Sequence, residues 1–146
     1  MRIKTFYIIL VSLIIFLVFK FLKTPLYDVS GKAIILRGIQ NQMYEDTSKI
    51  IPISGAKVLS VRGKVFANHR KQSIPISKIK SPKKFSLTNN EGIFKFKLPK
   101  GEYTFFILIE DQAYLNSFDG KDYFSSKLID SNINNIVIID TRGVLY

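Results

Sequence analysis

Two turn signals, separated by one strand's length of alternating residues, constrain this sequence more than any other feature. Residues 88–92 read Thr-Asn-Asn-Glu-Gly, and residues 98–101 read Leu-Pro-Lys-Gly. Asparagine and glycine favour the positive-φ and side-chain-to-backbone geometries of tight turns, and proline fixes φ early in a reversal. Between the two signals Phe94, Phe96 and Leu98 alternate with lysines, which is typical of a strand with one buried face. The pattern predicts two hairpins that join three strands.

Short runs of β-branched and aromatic residues, interrupted by turn residues, make up the sequence from residue 31 onward. No sustained helical period accompanies them, so strands are predicted throughout. The predicted strands cover residues 32–37, 56–62, 64–67, 85–88, 93–98, 103–110, 114–117, 126–129 and 135–140. Residues 103–109 and 136–139 are apolar on both faces, which is typical of central strands. The sequence therefore predicts an all-β domain of two packed sheets over residues 31–146.

Three segments resemble a known family. They read Ser-Gly-Ala-Lys-Val at 54–58, Thr-Asn-Asn-Glu-Gly-Ile-Phe at 88–94 and Leu-Pro-Lys-Gly-Glu-Tyr at 98–103. Together they resemble the carboxypeptidase regulatory-like domain, a transthyretin-like (prealbumin-like) β-sandwich, and residues 114–120 are similar to small exported bacterial members. The resemblance implies a Greek-key antiparallel β-sandwich of about seven strands and a non-catalytic role. The sequence departs from the family in the long basic connection at residues 68–84.

The first 23 residues carry a membrane signal. An uncharged apolar run lies between Lys4 and Lys20, and both lysines can snorkel, which extends the apolar stretch to residues 3–22. Since about 20 residues cross a hydrocarbon core of about 30 Å, this segment is predicted to span the lipid bilayer as a signal-anchor helix. Residues 24–30 are predicted to form a short juxtamembrane connector.

Two other interpretations of this segment stay open. A cleaved secretory signal would have its first acceptable site at residues 29–31, which cuts into the first predicted strand. A buried core helix is disfavoured because the segment is apolar all round. The flanking charges barely discriminate orientation. The resemblance to exported proteins favours a domain outside the cytoplasm, periplasmic or at the cell surface.

Composition excludes several kinds of chemistry. The chain has no cysteine, so it can form no disulfide, thiolate zinc site, thiol nucleophile or lipid-modified cysteine anchor. Its one histidine, His69, lies in a polar basic stretch that is predicted to be an exposed loop. No enzymatic activity, cofactor or metal is therefore predicted.

Positive charge is concentrated in the middle of the chain. The chain has 22 Lys and Arg residues against 11 Asp and Glu residues, yet residues 49–84 contain no acidic residue. A candidate polyanion-binding loop lies there, formed by Arg70, Lys71, Lys78, Lys80, Lys83 and Lys84. Its predicted partners are anionic lipid head groups, an anionic surface polymer or an envelope protein. Nucleic acid is not a predicted partner, because the stretch has no recognition motif or interleaved aromatic residues. The alternative interpretation is an ordinary solvated face.

The remaining candidates concern aspartates, a tyrosine and strand edges. The spacing of the five aspartates from residue 111 onward does not match a calcium-binding loop, so turn roles are predicted for Asp111, Asp119, Asp122, Asp130 and Asp140. Tyr103, after the second turn, is predicted to pin a corner through its hydroxyl. Lysines near residues 78–84 are expected to discourage the pairing of a sheet edge with another chain.

An alternative function is that of an accessory subunit, which docks on an envelope complex by strand addition.

Overall fold

A computed structural model describes residues 24–39, 49–68 and 71–145 of the chain. The strands are β1 (Leu26–Ile39), β2 (Lys49–Pro52), β3 (Lys57–Arg62), β4 (Ser73–Pro75), β5 (Lys83–Leu87), β6 (Ile93–Pro99), β7 (Gly101–Ile109), β8 (Gln112–Tyr114), β9 (Ser126–Ile129) and β10 (Ile133–Leu145). A single 3-10 turn, Ile76–Lys78, follows β4. The predicted membrane segment (residues 1–23), His69 and Arg70 lie outside the described residues. None of the helical structure within these ranges is long and apolar enough to cross a bilayer.

The strands form two sheets, which confirms the predicted all-β architecture. In the first sheet the order is β10-β1-β2, and β6 also pairs with β1. The long β1 makes this possible, since its first half pairs with β6 and its second half pairs with β2. In the second sheet the order is β4-β8-β7-β3-β5, with β9 also on β7. The chain passes between the sheets in the connections β2–β3, β5–β6, β6–β7 and β9–β10.

Aromatic side chains fill the space between the two sheets. The predicted alternation of β6 is confirmed, because Phe94, Phe96 and Leu98 are buried while the intervening lysines are exposed. Phe94 and Phe96 lie against Phe105 of β7, with ring centroids 6.3 and 5.9 Å apart. Successive strand residues point to opposite faces, so the residues that flank Phe105 point away from this interior.

The second sheet is also covered on its other face. Phe106 of β7 packs edge-on against Phe124, with centroids 5.0 Å apart, and Phe118 stacks on Phe124 at 5.5 Å. Within the described residues, 63–68, 71–82 and 115–125 carry this cover, and backbone hydrogen bonds join the first segment to the last: Phe124 N donates to Val65 O, and Ala67 N donates to Asp122 O. We call these segments the outer layer. The predicted both-face burial of β7 is explained by its position between this layer and the first sheet.

Both predicted turns exist, but the prediction that they close hairpins is wrong. β5 and β7 belong to the second sheet and β6 to the first, so each turn carries the chain from one sheet to the other. The turn chemistry is as expected: Asn89 Oδ1 accepts hydrogen bonds from Glu91 N and Ile93 N, and Tyr103 Oη donates to Pro99 O at 3.1 Å. The alternation of β6 cannot distinguish the two arrangements. The strand buries the same face whether β5 and β7 pair with it in one sheet or lie in the opposite sheet.

Other boundaries also differ from the predictions. Residues 26–30, predicted as a connector, belong to β1 and pair with β6. β10 runs parallel to β1, so the sandwich is not wholly antiparallel. The predicted strand at 64–67 makes one isolated bridge, between Phe66 and Tyr123. The described residues form ten strands, whereas the family resemblance implied about seven. Two of the ten, β2 and β4, were not predicted because they carry too few residues to show a pattern.

Gly31 lies where three strands come into closest approach. It is opposite Phe94 of β6 on one side and Ile136 of β10 on the other. A Cβ atom at this position would lie 2.2 Å from Ile136 O and 2.5 Å from Phe94 Cζ. Only glycine fits, because a neighbouring backbone atom cannot move aside as the end of a flexible side chain can.

Gly31→Ala is therefore expected to lower the free energy of unfolding by at least about 2 kcal/mol, since overpacking forces backbone to shift. Gly55→Ala is the matched control. A Cβ atom at Gly55 would have no neighbouring heavy atom within 4 Å, although the residue has a φ of +68°. That control is expected to cost only about 1 kcal/mol of backbone strain. Chemical denaturation of the full chain in a neutral detergent micelle, followed by circular dichroism, measures both. Equal losses in the two variants would contradict the steric explanation.

Candidate functional site

The predicted basic loop divides into two separate groups. Lys71, Lys78 and Lys80 lie in the outer layer, whereas Lys83 and Lys84 lie on β5, at one edge of the second sheet. Arg70 is outside the described residues. The two groups line different clefts, so the sequence stretch is not one surface.

Two adjoining clefts in the outer layer contain the first group. Their volumes are about 440 and 320 Å³, and both are lined by Phe66, Asn68, Ile74 and Lys78. Lys64 and Lys80 complete the larger cleft, and Lys71 lies in the smaller one. Each described lining residue is basic, polar or apolar, and none is acidic. We call them the outer-layer clefts.

The outer-layer clefts are held in place by backbone pairing. β4 pairs antiparallel with β8, and Ile76 N donates to Asp111 O at 2.8 Å, which fixes the 3-10 turn that carries Lys78. In the wall of both clefts Phe66 is 52% exposed and packs edge-on against Tyr123, with ring centroids 5.6 Å apart. The arrangement places an exposed aromatic pair next to several ammonium groups.

The lysines of these clefts differ in how far their charge is neutralised. Lys64 Nζ lies 3.2 Å from Asp119 Oδ2 and 4.0 Å from Glu102 Oε1. In the part of the chain that the structure describes, Lys71, Lys78 and Lys80 form no ion pair. These three ammonium groups therefore leave a net positive field over the clefts.

Asp119 has the turn role that the sequence predicted. Its Oδ1 accepts hydrogen bonds from Lys121 N at 2.9 Å and from Tyr123 N at 3.3 Å. The backbone hydrogen bond from Lys121, together with Lys64 and Tyr123, holds the pKa of Asp119 below its ordinary value against the opposing effect of desolvation. Among the described residues no three His, Cys, Asp or Glu side chains come together as a metal site would require.

Lys83 and Lys84 line a third cleft, of about 380 Å³, which opens between the two sheets. We call it the inter-sheet cleft. Ser60 and Arg62 of β3 also line it, although no sequence pattern marks either as a site residue. Their spacing of two shows that they share a face of β3, but only the β3–β5 register places Ser60 opposite Lys84. The apolar part of the lining consists of Leu26, Leu98, Pro99 and Tyr103.

Asp140 is a buried carboxylate, which makes its predicted turn role wrong. It lies within β10, is 2% exposed, and accepts hydrogen bonds from Arg142 N at 3.0 Å, Nε at 2.9 Å and Nη2 at 2.7 Å. Burial raises the pKa of Asp140, but the hydrogen bonds and the charge of Arg142 together outweigh burial and leave the pKa below its ordinary value. The carboxylate is satisfied within its own strand, so its role is structural.

No protein-family model matches the sequence, and no curated protein matches it. Membership of the carboxypeptidase regulatory-like family therefore stays a prediction. Among solved structures the chain is similar to a candidate carbohydrate-binding protein from Pseudomonas aeruginosa, at 12% identity and a TM-score of 0.46, over 80% of this chain and 90% of that one. It is also similar to the full-length major pilin SpaD of Corynebacterium diphtheriae, at 11% identity and a TM-score of 0.37, over 79% of this chain but only 32% of the pilin.

Asp140→Asn is expected to lower the free energy of unfolding at neutral pH by about 1–3 kcal/mol, a range that allows for the solvent exposure of Arg142. Because the folded-state pKa of Asp140 is lowered, its contribution is present above the ordinary value of 3.8 and is lost as the pH falls through the folded-state pKa. The difference between the parent chain and the variant should thus shrink below that pH. Denaturant titrations at several pH values measure it. The exposed Asp130→Asn serves as control, and a pH-independent difference for Asp140→Asn would refute the assignment.

Proposed function

We propose that this chain is a membrane-anchored, non-catalytic binding module. Residues 3–22 hold it in the bilayer as a signal anchor, the β-sandwich is displayed outside the cytoplasm, and the outer-layer clefts bind an anionic surface polymer. The alternative fate of the leader, cleavage to give a secreted module, leaves the binding function unchanged.

The pattern of charge in the outer layer is the observation that supports polymer binding. Lys71, Lys78 and Lys80 are free of ion pairs among the described residues, and they line the outer-layer clefts together with Phe66, which packs against Tyr123. An open surface with spaced positive charges suits a ligand whose negative charges repeat along its length. The aromatic pair offers an apolar contact for the carbon part of each unit.

The position of the first strand supports close attachment to a membrane. β1 begins at Leu26, so Thr24 and Pro25 alone separate it from the predicted membrane segment. Because β1 is paired along its length, the connector cannot lengthen without breaking strand pairing. The sandwich would therefore be held against the lipid head groups. Intact mass combined with protease accessibility in sealed cells tests retention of the leader and sidedness together. A shortened mass, or protection of the sandwich inside cells, would contradict the anchored, external placement.

We also infer that the chain is a divergent relative of the carboxypeptidase regulatory-like domains. Two of the three segments that carry the resemblance, residues 88–94 and 98–103, form one structural unit, the passage from β5 through β6 to β7. Thr88 ties this unit to the turn before β3, because its Oγ1 donates to Ile53 O at 2.6 Å and accepts from Ala56 N at 2.8 Å. Residues with a definite structural task are those that a family pattern would retain.

A second candidate function, docking by strand addition, is favoured by the edge of the first sheet. β10 is 13 residues long and, among the described strands, pairs only with β1. Val137 on this edge strand is 56% exposed. A long exposed edge accepts another strand readily. If this candidate holds, a stoichiometric protein partner recovered from detergent-solubilised membranes is lost in Val137→Lys.

Replacing Lys71, Lys78 and Lys80 by glutamine tests polymer binding. The triple variant of the full chain, in neutral detergent, is expected to bind dextran sulfate beads at least about tenfold more weakly, since each lysine near an anionic surface contributes about 1 kcal/mol. The matched control replaces Lys95, Lys100 and Lys127, which removes the same charge from other surfaces. Equal weakening in the two variants would show that net charge alone governs retention, and the proposal would then be wrong.

A further inference from the structure

A buried hydroxyl in the inter-sheet cleft lacks a hydrogen-bond partner. Ser60 is 1% exposed, and its Oγ makes no hydrogen bond to any described residue. The other buried Ser and Thr hydroxyls among the described residues are satisfied: Thr104 Oγ1 donates to Gly63 O at 2.9 Å, and Thr88 Oγ1 donates to Ile53 O. A buried polar atom without a protein partner destabilises the folded chain until water or a ligand completes its hydrogen bonding, so such an atom in a cleft wall favours a ligand that brings an oxygen to it.

Two cations share the face of the sheet that carries Ser60. Lys84 is its cross-strand neighbour on β5, and Arg62 lies two residues along β3. Lys84 Nζ donates to Lys97 O at 2.9 Å, which leaves the remaining donors of the ammonium group unused. Neither cation forms an ion pair within residues 24–39, 49–68 and 71–145, and no described acidic residue lines the cleft.

Lys83 is a subsidiary member of the lining. Its Nζ donates to Ile79 O in the outer layer. The ammonium group is therefore directed away from Ser60, and the polar centre of the cleft consists of Ser60, Arg62 and Lys84.

We propose that the inter-sheet cleft binds a phosphate ester. The three polar groups offer many donors and, apart from the serine oxygen, no acceptor, which suits an oxyanion. The guanidinium of Arg62 matches two phosphate oxygens at once, Lys84 adds a point charge, and the Ser60 hydroxyl donates to a further oxygen. A carboxylate, with two oxygens, would leave donors unused. The apolar wall formed by Leu98, Pro99 and Tyr103 fits the carbon part of an ester.

The place of the cleft points to a lipid head group as one source of that phosphate. Thr24, the first described residue, lines the cleft and directly follows the predicted membrane segment. This source rests on the proposed anchoring, whereas binding of a free phosphate ester does not. The cleft is also distinct from the outer-layer clefts, so either site can fail without the other.

The test is a titration of the full chain in neutral detergent micelles, followed by amide chemical shifts. The probes are glycerol phosphate and short-chain phosphatidylglycerol. Saturable shifts centred on Ser60, Arg62 and Lys84 are expected with at least one probe. Response to phosphatidylglycerol alone assigns a lipid source, and response to glycerol phosphate assigns a soluble one.

Ser60→Ala separates a ligand-binding role from a structural one. Loss of the hydrogen bond to a charged oxygen is expected to weaken binding about tenfold. The thermal midpoint of the unliganded chain should hold or rise, because the variant removes an unsatisfied buried group. The double variant Arg62→Gln, Lys84→Gln should weaken binding at least as much, and Lys95→Gln, outside the cleft, should not.

Two results would overturn the inference. One is the absence of saturable shifts at the cleft residues with both probes. The other is unchanged affinity in the double variant, which decides the matter even if Ser60→Ala fails to fold. Retention on dextran sulfate reports on the outer-layer clefts. Neither outcome of that experiment affects the test of the inter-sheet cleft.

Discussion

Burial of β7 on both faces is the constraint on which the architecture depends. Phe105 needs cover from the first sheet and Phe106 needs cover from the opposite side, so two layers cannot satisfy this strand. The outer layer supplies this cover, partly from the long connection after β3 and partly from residues 115–125, which carry Phe124. The lysines of the outer layer are consequently held on a folded surface. The clefts that they line exist because the apolar outer face of β7 has to be covered.

Local chemistry was readable from the sequence, and pairing was not. The alternation of β6, the Asn89 turn and the hydrogen bond from Tyr103 to Pro99 all depend on residues within a few positions of one another. The sheet to which each strand belongs depends on partners far away in the chain. The parallel pairing of β1 with β10 joins the two ends of the described chain, and no pattern within either strand distinguishes it from antiparallel pairing.

The same distinction explains the sites. The lysines of the basic stretch were predicted to form one site. Because β5 begins at Lys83, Lys83 and Lys84 line the inter-sheet cleft, whereas the earlier lysines line the outer-layer clefts. Ser60 and Arg62 gave no signal, because a serine and an arginine in a strand are ordinary until the register places Lys84 beside them. For Asp140 the decisive partner is close in sequence. Arg142, two residues away, forms the ion pair that allows a carboxylate to be buried in a strand, and a turn role was therefore the wrong prediction.

The clamping of β1 between β6 and β10 has a mechanical consequence. β1 is hydrogen-bonded along both edges over much of its 14 residues. A pull on the chain ahead of Leu26 acts along the strand axis, so it loads many of these bonds together in shear and does not peel them apart one after another. Tension entering at this end of the domain is therefore shared among β1, β6 and β10.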